Sequence, residues 1–249
     1  MSGTVLVTGG GKGVGAAIVR ALVAVGHDVD FTYRSSAVEA EALVDDLTAA
    51  HPGRTIRALP LDLSDKAAVA AFCETAAETT YFGYVHNAGQ PYDVLAAMLT
   101  QDRAEAIMQV NFWSMTQIVK AVIRPMMRAR AGRIVGIGSV AALEGNQGNS
   151  AYAATKGAML SYLRTLAVES AKRGVTVNYV APGFIDTDML VPYANYRDQM
   201  EKQIPAGRFA SPEDIAALVG FLVSPGAAYM TGAVLPIDGG LTATIAFQR

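Results

Sequence analysis

Thr4-Val5-Leu6-Val7-Thr8-Gly9-Gly10-Gly11-Lys12-Gly13-Val14-Gly15 is the stretch whose reading decides the fold. Its first five residues are apolar or β-branched and predict a strand; the alanine-rich amphipathic run Gly13–Val25 predicts a helix directly behind it. Glycines in between let the backbone turn tightly and come close to a large anion. The helix N-terminus then aims free amides at that charge. The spacing is G-x-x-x-G-x-G rather than the G-x-G-x-x-G dinucleotide fingerprint, but strand, glycine turn and helix stand in the order a dinucleotide site needs.

The alternation continues to the end of the chain. Further strands are predicted at Asp28–Tyr33, Thr55–Leu59, Tyr84–His86, Arg133–Ile137, Thr176–Val180 and Val234–Ile237. Helices are predicted at Ala37–Ala50, Asp65–Thr79, Gln101–Met127, Ala151–Arg173 and Pro212–Val223. Strands apolar on both faces suit a parallel sheet covered on each side. The expectation is an α/β fold: one Rossmann-like, doubly wound parallel sheet of seven strands with helices on both faces, in a single domain over residues 1–249. Ser64, Thr100, Ser150 and Ser211 are the expected helix caps, the last backed by Pro212-Glu213-Asp214.

Composition removes several function classes. The 249 residues are 51% hydrophobic and 17% charged, with 20 basic against 22 acidic side chains, so a net charge of −2 gives no reason to expect nucleic-acid binding. Basic residues are scattered, no apolar run reaches membrane-spanning length, and no charged leader precedes Thr4. The reading is soluble and cytoplasmic, without membrane attachment. Cys73 is the only cysteine and there are three histidines, so neither a disulfide nor a metal centre is expected.

The chemistry gathers in Ser150-Ala151-Tyr152-Ala153-Ala154-Thr155-Lys156. Tyr152 and Lys156 are four apart and share a helix face; a cation there would favour phenolate and make Tyr152 an acid usable near neutral pH. At the end of the second strand an NAD site would carry a carboxylate gripping the ribose. Here stand Arg34 and Ser35, with Ser36, while Asp28 and Asp30 come too early. With Lys12 in the glycine loop, Arg34 suits a 2′-phosphate, so the expected cofactor is NADP(H). Asp62-Leu63 and Asn87-Ala88-Gly89 follow the third and fourth strands as turns able to meet the adenine and its ribose.

With Thr8–Gly15, Asn87-Ala88-Gly89, Asn111, Ser139, Tyr152 and Lys156 in order, the chain resembles the short-chain dehydrogenase/reductase family over essentially its whole length. Ala151–Lys156, Gly174-Val175-Thr176-Val177-Asn178 and Ala181–Met189 resemble its 3-oxoacyl-[acyl-carrier-protein] reductase branch. The resemblance implies an NADPH-dependent, cytoplasmic homotetramer working on substrates borne by acyl-carrier protein. Tyr152 would protonate the carbonyl oxygen, Lys156 would hold the nicotinamide ribose and lower the phenol's pKa, and Ser139 would hydrogen-bond the carbonyl. Asn111 would position a water on Lys156. Cofactor contacts would come from Gly9, Gly11, Lys12, Gly13, Val14, Gly15, Arg34, Ser35, Asp62, Leu63, Asn87, Ala88 and Gly89. Tyr152, Lys156, Pro182, Gly183, Ile185 and Thr187 would complete them. Arg130 and Arg173, with Arg128, Arg133 and Lys172 near them in sequence, would dock the carrier.

Residues 188–209, with Met189, Leu190, Tyr193, Tyr196, Met200, Pro192 and Pro205, suit a lid over an acyl chain. One departure stands out: His86 occupies the place where the family commonly has asparagine, and it reads as a buried or hydrogen-bonded strand-end residue. Reduction or oxidation of another ketone or alcohol (a sugar, a steroid, a small ketone) keeps the same chemistry, and a non-catalytic nucleotide-binding subunit is the reading from another class.

Overall fold

Seven β-branched segments become strands whose burial follows from their sequence. They are β1 Thr4–Thr8, β2 Asp28–Tyr33, β3 Ile56–Pro60, β4 Gly83–His86, β5 Gly132–Ile137, β6 Val175–Pro182 and β7 Val234–Ile237. The computed structural model describes residues 3–244, and the side chains of Met189, Pro192 and Ala194 lie outside the described part. The strands form one sheet in the order β3-β2-β1-β4-β5-β6-β7, every neighbouring pair parallel. The chain winds outward from β1 to β3, then returns to lay β4 beside β1. That reversal opens a crevice beyond the carboxyl ends of β1 and β4, where sheets of this kind bind ligands.

Period-two alternation distributes the strands' side chains between two apolar layers. Val5 and Val7 of β1 pack with Ile18 and Leu22 of helix α1 (Gly13–Ala24), Leu43 of α2 (Ala37–Ala50) and Val219 of α8 (Pro212–Val223). Leu6, between them in sequence, faces the other way. It joins Val69 of α3 (Lys66–Glu78), Met115 and Ile118 of α5 (Ser114–Ala129), and Met159 and Leu163 of α6 (Ser150–Ser170). Each such buried side chain stabilises by roughly 1.5–3 kcal/mol, so these layers hold helices to sheet.

Local chemistry sets the helix ends, not always through the expected residue. Ser211 and Asp214 form a reciprocal capping box at α8. At α3 the cap is Asp65, whose carboxylate accepts from the Ala67 and Ala68 amides, because the Ser64 hydroxyl is turned to Asp62. Thr100 precedes α4 (Gln101–Met108) without a side-chain bond. Ser150 is the first residue of α6 rather than its cap; Asn149 takes that position and makes no side-chain cap bond. The expected helix Gln101–Met127 is interrupted: α4 runs into a π turn, Gln109–Trp113, before α5. Such a turn holds one extra residue and re-aims the side chains it carries. Asn111 is one of them.

Candidate active site

The glycine loop closes over the end of β1 because the Gly15 position admits no side chain. A Cβ on Gly15 would stand 2.0 Å from the Gly9 carbonyl oxygen and 2.7 Å from Asn87 Nδ2. The loop is moored to β2 by the Gly10 amide donating to Thr32 O at 2.8 Å and the Gly9 amide to Thr32 Oγ1 at 3.2 Å. Asn87 holds it from the other side, its Nδ2 donating to Gly9 O at 3.0 Å and Thr8 O at 3.2 Å. Gly11 is buried against β2, with Ser36 Oγ beside it, whereas Lys12 and Gly13 are exposed and Val14 half-buried.

Arg34 and Ser35 are exposed at the end of β2. The two earlier aspartates are committed elsewhere. Asp30 is buried and accepts from Arg57 Nε and Nη2, both at 2.7 Å, and from Tyr81 Oη at 2.8 Å; Asp28 accepts from the Thr55 amide. Asp62 Oδ1 accepts from the Ser64 hydroxyl and amide, which, with a smaller contribution from the Arg34 charge, hold the carboxyl below its usual range. Leu63 points into the apolar layer and its carbonyl accepts from Gln109 Nε2. Across the crevice, Pro182 ends β6, the Gly183 amide donates to Ile237 O, and Ile185 pairs with Ala210. Thr187 leans over the glycine loop, its Cγ2 3.7 Å from where a Gly13 Cβ would be.

Three segments bring the expected reacting residues together. Tyr152 and Lys156 lie one turn apart on α6, Nζ 5.6 Å from the phenol ring centroid. Ser139 follows β5 and opens a short turn, its Oγ accepting from the Ala141 amide. Its hydroxyl also stands against the Tyr152 phenol. The buried Asn111 spends its amide on support: Oδ1 accepts from the Gln90 amide at 2.9 Å, and Nδ2 donates to Gln90 O at 3.0 Å and Thr155 Oγ1 at 3.1 Å. It thus ties the loop after β4 to α6. Gly89 lies between these groups, the site of its missing Cβ 3.3 Å from Lys156 Nζ and 3.4 Å from Asn111 Oδ1. Ala88 completes the turn, its amide donating to Thr8 Oγ1.

The electrostatics correct one expectation. Burial pushes the Tyr152 phenol up to about 12, against the opposing pull of Ser139, and Asp93 pushes it further in the same direction. Burial also lowers the Lys156 ammonium to about 8, and Nζ donates to the Ile137 carbonyl at 2.9 Å. Lys156 therefore does not depress the phenol here; desolvation of both groups outweighs their proximity. At neutral pH the site holds a protonated phenol.

His86 is buried at the end of β4, Nδ1 2.9 Å from Tyr84 Oη and 3.2 Å from Thr8 Oγ1. The Thr8 hydroxyl also accepts from the Asn87 and Ala88 amides, and His86 Nε2 makes no hydrogen bond among the described residues. Burial, with Lys156 adding, pushes this imidazole down to about 3, and it stays neutral.

Several site features carry no sequence signal. Tyr179 of β6 backs Ser139: the Ser139 amide donates to Tyr179 Oη at 3.0 Å, and Oη donates to Ser139 O at 3.2 Å. Asp93, in the loop after β4, accepts from Asn149 Nδ2 at 2.5 Å and from Tyr193 Oη of the lid region. That region is a 3-10 stretch, Asp188–Tyr196, followed by α7 (Arg197–Glu201). Beneath it lies a cavity of about 130 Å³ lined by Leu190, Val191, Tyr193, Arg197, Met200 and Phe209. A groove of about 500 Å³ between α3 and α5 is larger but touches none of the reacting residues.

Arg130 and Arg173 are exposed and neighbouring, Arg130 Nη2 donating to Lys172 O at 3.1 Å. They lie before β5 and β6, at the opposite end of the sheet from the crevice; the 21 residues from Tyr152 to Arg173 measure about 30 Å along a helix. Arg133 differs from these surface cations: it is buried, with Cζ 5.5 Å from the centroid of the Phe82 ring.

A family model described as enoyl-(acyl carrier protein) reductase matches residues 9–242. The chain is 40% identical over 247 residues to the 3-oxoacyl-[acyl-carrier-protein] reductase FabG of Aggregatibacter actinomycetemcomitans, covering 97% of this chain and 100% of the relative. It is 42% identical over 242 residues to the FabG of Pseudomonas aeruginosa, covering 95% and 96%. Among solved structures, a blue fluorescent protein from a metagenomic library in complex with NADPH superposes with a TM-score of 0.88. It is 37% identical, with 96% of this chain and 97% of that one covered.

Proposed function

The chain belongs to the short-chain dehydrogenase/reductase family, and from that premise we propose that it reduces a 3-oxoacyl thioester, borne by acyl-carrier protein, to the 3-hydroxyacyl form with NADPH in fatty-acid synthesis. The observation that carries this reading is the meeting of Tyr152, Lys156 and Ser139 at one end of the crevice whose other end is the glycine loop. The residues fit that cofactor. The Gly15 position is open to close backbone approach, Lys12 and Arg34 are exposed cations, and Asp28 and Asp30 are engaged away from a ribose.

When bound, NADPH supplies the hydride. The loop amides, Lys12 and Arg34 hold the phosphates. Ser139 donates a hydrogen bond to the substrate carbonyl oxygen, and Tyr152, protonated at neutral pH, gives its proton to that oxygen as charge builds on it. Lys156, charged below about pH 8, offers donors to ribose hydroxyls. Asn111 keeps α6 in register with the loop after β4, so that the phenol is presented at a fixed distance.

We read the lid as residues 188–209, the whole chain as one domain, and the working assembly as a cytoplasmic homotetramer. Exposed apolar residues support assembly: Trp113 on the π turn, Val168 on α6, and Phe221 and Tyr229 near the last strand. No helix of the described residues is long and apolar enough to cross a membrane. Arg130 and Arg173 suit an acidic carrier by charge; being distant from Tyr152 of their own chain, they serve a crevice only where another copy brings one near.

The test is NADPH oxidation with carrier-linked 3-oxoacyl chains of graded length, beside a 2-enoyl thioester and free ketones. Turnover of the 3-oxoacyl series at least tenfold above the others is expected. Equal or greater turnover of the enoyl thioester or a free ketone would overturn the assignment.

A further inference from the structure

Three loops that are far apart in sequence meet at one carboxylate. Asp93 lies in the loop between β4 and α4; Asn149, which donates to Asp93 Oδ1 at 2.5 Å, stands immediately before the helix bearing Tyr152; and Tyr193, which donates to Oδ2, belongs to the lid. The first two loops are also joined by the Val94 amide donating to Gly148 O at 2.7 Å, so they would stay together without the carboxylate. The 188–196 stretch of the lid has less. Its following part is held by the Arg197 fork on Asp186 and the Ala206 amide donating to Gly239 O. Among the described residues, 188–196 is tied, beyond its local turn in which the Leu190 amide donates to Thr187 O, by this Tyr193 bond and a 3.7 Å pair between the well-exposed Lys12 and Asp188. An ion pair that exposed contributes little, which leaves the Tyr193 bond as the firmer tie.

Resting on the ketoreductase reading above, we propose that Asp93 is a positioning residue: through Tyr193 it latches the 188–196 stretch of the lid to the two loops that flank the start of the reacting helix. The latch opens to admit the acyl thioester and closes behind it.

Two substitutions test the latch from its two sides: Tyr193→Phe removes the donor and Asp93→Ala the acceptor. Both are made at exposed positions and are assayed in the full chain with acetoacetyl thioester and NADPH. In each, KM for the thioester should rise roughly three- to tenfold, as for loss of one partly exposed hydrogen bond to a charged group, with kcat and KM for NADPH unmoved, and the double variant should match the single ones. Thioester KM unchanged in Tyr193→Phe, or effects of the two substitutions that add in the double variant, would overturn the latch. Absence of NADPH oxidation in the unmodified protein would instead sink the ketoreductase reading.

Discussion

Replacing Gly15 with alanine tests the nucleotide end of the crevice. The new Cβ would lie 2.0 Å from the Gly9 carbonyl oxygen, more than an ångström inside ordinary contact, with Asn87 Nδ2 at 2.7 Å closing the lateral escape. Overpacking of this kind costs about 1–3 kcal/mol. Alanine returns about 1 kcal/mol through its better helix propensity, so the fold should lose roughly 0–2 kcal/mol, or less than about 8 °C in Tm for a chain of this size. The cofactor should feel more. The loop has to move by about the overlap, which takes at least one amide off its phosphate, and such a bond is worth roughly 1.5–3 kcal/mol. Kd for NADPH, read by fluorescence titration, should therefore rise about 10- to 150-fold. A Kd within threefold of the unmodified protein would show that the glycine loop does not cradle the phosphates.

Tyr152→Phe should lower kcat by roughly 10²–10⁴ while leaving NADPH binding within about twofold; comparable turnover would remove Tyr152 as the proton donor. Arg34→Ala should raise KM for NADPH roughly tenfold and leave KM for NADH nearly unchanged, and equal effects on both would dispose of the 2′-phosphate contact. Lys156 offers a stability test. Its folded pKa is lowered to about 8 from 10.5, so between those values the unfolded chain binds the extra proton and stability rises with pH. Lys156→Met should flatten that rise, measured as the change in urea midpoint between pH 8 and pH 10; an unaltered slope would mean that the ammonium is not desolvated in the fold.

The sheet was legible because its strands alternate or run apolar over short lengths, and all seven start within one residue of expectation or on it. The glycine loop was legible for a related reason: strand, glycines and helix are contiguous. What sequence could not show is where a helix changes pitch. Nothing in Gln109-Val110-Asn111-Phe112-Trp113 marks a π turn, and without it Asn111 reads as a mid-helix polar residue. Caps were misassigned at Ser64 and Ser150 because the neighbours Asp65 and Asn149 are equally good cap formers; a local bond turns the Ser64 hydroxyl to Asp62, and a long-range one turns Asn149 to Asp93. The direction of the Tyr152 shift was missed because spacing places a lysine nearby but says nothing of how much water both groups lose. Tyr179 and Asp93 escaped notice for a plainer reason: their partners are 40 to 100 residues away.

The two apolar layers divide the labour of the crevice. The glycine loop leads into α1, which packs in one layer, while α6, bearing Tyr152 and Lys156, packs in the other. A substitution on the buried face of α1 strains a layer that α6 does not share, and the converse holds equally; the Asn87–Gly89 turn is where the two meet. Descendants of such a chain can exchange coenzyme preference and carbonyl chemistry as separate inheritances, with the sheet between them as a partition.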